Sequence, residues 1–114
     1  MNSDIWGPHA WFFLYSIVLA YPEKPIDKEK KNYYMFFRTL IDILPCMKCR
    51  MHYKDSMIKN PLTNEILSSK DLLFKWLHNI QNEVKSSQGK PPYKLKDTYD
   101  FFDNAYKINK ILLN

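Results

Sequence analysis

Cys46-Met47-Lys48-Cys49 holds the only two cysteines of the chain. Residues i and i+3 lie on one face of a helical turn, close enough to close a disulfide. Such a bridge encloses so small a loop that it adds little stability and is readily reduced. At a helix N-terminus the unpaired N–H groups and the dipole favour thiolate, and Lys48 adds local positive charge. The chemistry on offer is thiol–disulfide exchange. A second reading is zinc, with His52 and either His78 or His9 beside the two cysteines. It is weakened by the lack of a second closely spaced ligand pair. A thioredoxin-type site needs a strand before the CxxC, and none is expected here.

The elements that must position this pair are helices. Pro8 suits the first turn of a helix running to about Ala20, and Tyr21-Pro22-Glu23-Lys24-Pro25 breaks it. Asp27 is a plausible N-cap for a second helix to about Leu44, with Phe36, Phe37, Leu40, Ile41 and Leu44 as its core stripe. Pro45 ends that helix and opens the next, which carries both cysteines in its first turn and runs to about Lys59. Asn60-Pro61 stops it, and a loop follows. Ser69 caps a fourth helix with Leu72, Leu73, Trp76, Leu77 and Ile80 on one face. After a turn-rich Ser86–Pro92 connection, a last helix from about Asp97 sets out Phe101, Phe102, Ala105, Ile108 and Leu112. No period-two alternation marks a strand. The expectation is all-α: one domain over residues 1–114, a four-helix bundle with an additional C-terminal helix.

The 114 residues carry 18 large aromatic rings (7 Phe, 8 Tyr, 3 Trp), enough to build a core or to wall a flat ligand. Only Gly7 and Gly89 are glycine, which excludes GxGxxG and Walker-type phosphate loops. The net charge of +5 comes mostly from Lys, with only Arg38 and Arg50 as arginines, a poor match to base reading. No nucleic-acid partner is expected. Ala10–Tyr21 is apolar apart from Ser16 but shorter than the ~20 residues of a membrane span, and lacks the basic flank of a signal peptide. It reads as a buried helix, and the expected compartment is the cytoplasm. A dithiol that cycles needs an electron acceptor. With no second cysteine pair, an aromatic-lined flavin pocket would meet that need, with His78, Asn79 and Asn82 of the fourth helix close by. The rival from another class is a non-enzymatic helical binding module with a CxxC/His zinc site.

Three motifs in order, Trp6-Gly7-Pro8-His9-Ala10-Trp11-Phe12-Phe13-Leu14-Tyr15, the CxxC opening a helix, and His78-Asn79-x-x-Asn82, resemble the FAD-linked sulfhydryl oxidases of the Erv/Alr family, and most nearly its members from large cytoplasmic DNA viruses. They span most of residues 5–95. The resemblance implies FAD at the mouth of the bundle, a homodimer, and a thiol oxidase that passes electrons from dithiols to oxygen, giving hydrogen peroxide. It implies that Cys49 lies against the flavin and that Cys46 exchanges with substrate. Gly7 and Trp11 match the first FAD-contacting motif, and Tyr15 falls at a further cofactor-binding position. His78, expected near the adenine, Asn79 and Asn82 match the second, and Lys90 and Tyr93 fall where the family places a Lys and an aromatic. No metal is implied.

This chain departs from the family's pattern where Tyr15 stands for a usual His, Gln81 for an apolar residue and Arg50 for a small residue after the CxxC. Residues 85–90 resemble a short insertion. The shuttle disulfide of many cellular members is missing, so substrate, expected to be a small thioredoxin-like dithiol protein, must reach Cys46 directly. The viral likeness implies host cytoplasm or association with the virion. An exposed aromatic stripe on the first helix is the expected dimer surface.

Overall fold

In the computed structural model, which describes residues 1–107, the first helix begins five residues before Pro8. Asn2 caps α1 (Ser3–Leu19), its side chain accepting the Asp4 N–H at 2.9 Å. Pro8 sits inside, where its missing N–H leaves one carbonyl, that of Asp4, without its helical partner. A good cap outweighs that single loss, which is why the proline misplaces the start. Gly7, Leu14, Tyr15 and Val18 form the buried face. Phe12 and Phe13 are exposed, so α1 is buried on one side only.

Helix α2 (Asp27–Ile43) is capped by Ile26, whose backbone N–H donates to the Glu29 carboxylate at 2.9 Å. Asp27, the expected cap, is its first helical residue, because Glu29 rather than an N-cap side chain supplies the acceptor. Helix α3 (Met47–Lys59) has Cys46 as its N-cap. A four-residue helix, α4 (Asn64–Leu67), occupies the expected loop, with Thr63 capping the Ile66 N–H. Leu67 anchors it in the core, and the Tyr21 hydroxyl donates to the Leu67 carbonyl. Helix α5 (Lys70–Ser87) is capped by Ser69 as expected. Helix α6 (Leu95–Tyr106) starts two residues before Asp97. Of its expected apolar stripe Phe102 is buried, whereas Phe101 and Ala105 are exposed. Ile108 and Leu112 lie outside the described residues.

α5 is the central element. Leu73, Phe74, Trp76, Leu77 and Ile80 are buried along it, and it packs against α1, α3 and α4, while α2 packs against α3 and α4. Aromatic pairs knit the layers: Tyr15 lies 5.1 Å from Phe74 and 4.9 Å from Phe102, and Phe37 lies 5.1 Å edge-on to Trp76. The Trp76 Nε1–H donates to the Asn60 carbonyl at 2.7 Å, tying α5 to the end of α3. Four long helices with α6 added at the C-terminal side is the expected architecture, all-α among the described residues. No helix among those residues is long and apolar enough to cross a membrane.

Candidate functional site

Pro45 prevents α2 from continuing, and Cys46 takes the extended N-cap conformation (φ −164°, ψ 129°). The Cys46 sulfur accepts the Cys49 N–H at 3.1 Å, so a thiol does the work usually given to Ser or Asp. Cys46 and Cys49 are paired as a disulfide with Cα atoms 5.2 Å apart. Both sulfurs therefore belong to the first turn of α3, among its unpaired N–H groups.

A cavity of about 490 Å³ opens between α1, α3, α5, α6 and the 88–94 connection. This size is typical of a cofactor or ligand site. Cys49 is on its wall and Cys46 is not, which gives the disulfide an inner and an outer sulfur. Among the other expected site residues, Gly7, Trp11, Tyr15, Lys90 and Tyr93 share that wall. Gly7 is buried, yet a Cβ built on it meets no atom within 4 Å, because it would enter the cavity. The Lys90 ammonium pairs with Asp4 of α1 at 3.4 Å.

The second motif is placed differently. His78 is buried in α5 away from the wall, and its Nε2 has no hydrogen-bond partner among the described residues. Asn79, the next residue, is exposed, since adjacent helical positions point about 100° apart. Asn82 clamps the 88–94 connection instead. Its Nδ2 donates to the Tyr93 carbonyl at 3.0 Å, and its Oδ1 accepts the Tyr93 N–H at 2.9 Å. It thereby sets the position of a wall residue without being one.

Tyr15 and Gln81 explain one another. The buried Tyr15 hydroxyl donates to Gln81 Oε1 at 2.6 Å, and both line the cavity. Burial, with a smaller contribution from Tyr93, pushes the Tyr15 phenol far up, so it stays protonated and remains a donor. Burial likewise raises the phenol of Tyr53, which donates to the Phe37 carbonyl at 2.6 Å.

Sequence reasoning missed Trp6, Lys85 and the part played by His52. The indole Nε1–H of Trp6 is buried on the wall with no partner among the described residues. The Lys85 ammonium lies 3.9 Å above the Tyr93 ring. Its signal was present, four residues after Gln81 on the same face of α5. His52 lines the cavity one turn after Cys49 and bonds Ser87 Oγ through Nδ1 at 3.1 Å. Ser87 Oγ also donates to the Val84 carbonyl at 2.6 Å. The zinc alternative gains no support: the two cysteines are bonded to each other, and among the described residues no three His, Cys, Asp or Glu converge.

Residues 8–107 match the sequence profile of the Erv1 / Alr family. The chain belongs to that family. Among Erv1/Alr relatives, a probable FAD-linked sulfhydryl oxidase of Acanthamoeba polyphaga mimivirus is 42% identical over 90 residues, covering 79% of this chain and 63% of the relative. The FAD-linked sulfhydryl oxidase of African swine fever virus (isolate Warthog/Namibia/Wart80/1980) is 32% identical over 85 residues, covering 75% of this chain and 69% of that one. A close likeness to the African swine fever virus enzyme was expected; the mimivirus relative is nearer. Arabidopsis thaliana ERV1, also named an FAD-linked sulfhydryl oxidase, is 32% identical over 84 residues, 74% of this chain and 42% of its own length. The chain thus spans less than two thirds of the mimivirus and Arabidopsis relatives. The fold matches that of the FAD binding domain of Erv1 from Saccharomyces cerevisiae, with a TM-score of 0.77 at 23% identity, covering 94% of this chain and 95% of that one.

His78 gives a pH dependence. Burial lowers its pKa from the ordinary 6.5. As pH falls, the unfolded chain binds the proton first, so stability fully present above about pH 6.5 is lost below it. Thermal melts of the ligand-free protein are expected to be flat from pH 7 to 8 and to fall toward pH 5. His78→Gln flattens that fall; an unchanged slope in the variant would assign it to other groups.

Proposed function

We propose that this chain is an FAD-dependent thiol oxidase. In this reading Cys46–Cys49 takes two electrons from a protein dithiol, and FAD held in the cavity would supply the acceptor that carries them on to oxygen as hydrogen peroxide. The observation that carries it is a disulfide at a helix N-terminus with its inner cysteine on the wall of an aromatic cavity. The relatives named as FAD-linked sulfhydryl oxidases supply the cofactor class.

The residues present fit FAD. Gly7 leaves open the space a side chain would fill, and Nε1 of Trp6, on the wall, is a buried polar atom without a partner among the described residues. Lys85 and Lys90 bring positive charge suited to a pyrophosphate, while Trp11, Tyr15 and Tyr93 offer ring faces. Bound FAD supplies a two-electron acceptor for the reduced pair and the route to oxygen.

The chain's own part is exchange chemistry. A substrate thiolate attacks the Cys46 sulfur, breaking the Cys46–Cys49 bond and forming a mixed disulfide, with Cys49 leaving as thiolate. The substrate's second thiolate attacks the mixed disulfide and frees Cys46. The substrate leaves as a disulfide, two electrons and two protons poorer. We assign the substrate that attacks Cys46 to small thioredoxin-like dithiol proteins. A homodimer through α1 accords with the exposed Ile5 and Phe13, and the viral relatives favour the host cytoplasm or the virion.

The test is an absorption spectrum of protein reconstituted with FAD. Flavin bands that bleach anaerobically with dithiothreitol and return in air are expected. Failure to bind FAD, or bands indifferent to dithiol, would overturn the assignment.

A further inference from the structure

Arg50, which stands where a small residue was expected, is wrapped around the outer cysteine. Its guanidinium Nη1 donates to the Leu44 carbonyl at 2.6 Å. That same carbonyl accepts the Cys46 N–H at 2.8 Å, closing a three-residue turn over Pro45. The Arg50 backbone N–H donates to the Cys46 carbonyl at 3.0 Å. One residue thus holds the Leu44 carbonyl, two positions before Cys46, by its side chain and the Cys46 carbonyl by its main chain. Arg50 is half-buried, and among the described residues no carboxylate pairs with it. Its charge is therefore neither neutralised nor fully screened by solvent. Lys48, between the cysteines, is exposed.

We propose that Arg50 is a positioning residue for Cys46 whose fixed cation makes the Cys46–Cys49 disulfide easier to reduce. The proposal rests on reading the pair as the redox centre. Reduction by a dithiol breaks the S–S bond; the pair gains two electrons and two protons, and the dithiol leaves as a disulfide. Reduction converts a neutral disulfide into thiols that share negative charge through their thiolate forms. A neighbouring cation favours that side of the equilibrium, and a well-held one favours it most. The clamp on Leu44 keeps the guanidinium beside the turn that carries Cys46, whereas Lys48 is free to turn into water.

The experiment equilibrates the holoprotein anaerobically in mixtures of reduced and oxidised dithiothreitol and counts cysteine thiols after alkylation. Arg50→Met is expected to need a roughly tenfold more reducing ratio at the midpoint, about 30 mV for a two-electron couple. Arg50→Lys, which keeps the charge and can still donate to the Leu44 carbonyl, is expected within about threefold of wild type, and Lys48→Met within about twofold. A wild-type midpoint for Arg50→Met overturns the proposal. So does an Arg50→Lys shift as large as that of Arg50→Met, or an equal shift for Lys48→Met. Arg50→Lys and Lys48→Met keep the comparison open if Arg50→Met fails to fold: wild-type-like Lys48→Met with Arg50→Lys inside its limit supports the proposal, and either outside its limit overturns it. The couple has a midpoint whether or not oxygen is the acceptor. A lost flavin response with the expected shifts would therefore count against the oxidase reading alone.

Discussion

Cys49→Ser is expected to lower dithiol oxidation by roughly 10³-fold or more, the scale set by removing a group that takes part in bond making. FAD is expected to stay bound, because the serine is nearly the size of the cysteine and the remaining cavity wall is untouched. Cys46→Ser should fail equally, since neither sulfur can complete the exchange alone. The two variants differ in what they trap. The Cys46 thiolate of Cys49→Ser can attack a CxxS form of a dithiol protein whose remaining cysteine is activated as an aryl disulfide. The aryl thiolate is expelled, leaving a protein–protein mixed disulfide that neither partner has a second thiol to resolve. Cys46→Ser should trap none by that route. Turnover retained in either variant, measured as oxygen uptake with dithiothreitol, would remove the pair from the mechanism. A Cys49→Ser protein that captures no such activated CxxS protein would remove the direct protein-substrate reading.

The second large effect is expected at Gly7. A Cβ there meets nothing within 4 Å, so Gly7→Ala costs no packing in the ligand-free chain. Alanine is the better helix former by about 1 kcal/mol, and the ligand-free protein should melt a few degrees higher. The added carbon occupies space the ligand needs, so FAD affinity should fall. Gly7→Leu pushes the same contrast further, to a loss of about 100-fold or more, on the order of 3 kcal/mol. Opposite signs for ligand-free stability and FAD affinity are the signature; a tighter FAD complex in Gly7→Leu would show that the cavity at this point is not the binding space.

How legible these features were depends on which signal dominated each segment. The CxxC at the head of α3 could be read directly, because Pro45 both stops one helix and leaves Cys46 in the cap position. The apolar stripes of α2 and α5 were equally plain, their buried faces following the helical period. Pro8 misled at α1, since a proline suits a helix start and Asn2 is a quieter signal of the same thing. The short α4 depends on Thr63 and on the core contact of Leu67, and four residues give no period to read. At the site, Gly7, Trp11, Tyr15 and Cys49 line one cavity. The run His78, Asn79, Asn82 does not act as a block: one side chain is buried, one exposed, and one engaged with a backbone eleven residues away. His52 owes its place to helix packing between α3 and α5, which no local pattern announces, whereas Lys85 follows Gln81 by one turn on the same face of α5.

The hydrogen bond between Tyr15 and Gln81 joins two helices across 66 positions of sequence. Each residue taken alone is an odd choice for a buried wall, and each is satisfied only by the other. Loss of either partner strands a polar group where water cannot compensate, while replacing both together need cost little. The two positions therefore form a single heritable unit. A lineage could exchange this pair for a different one only by passing through a poorer intermediate, or by changing both residues at once.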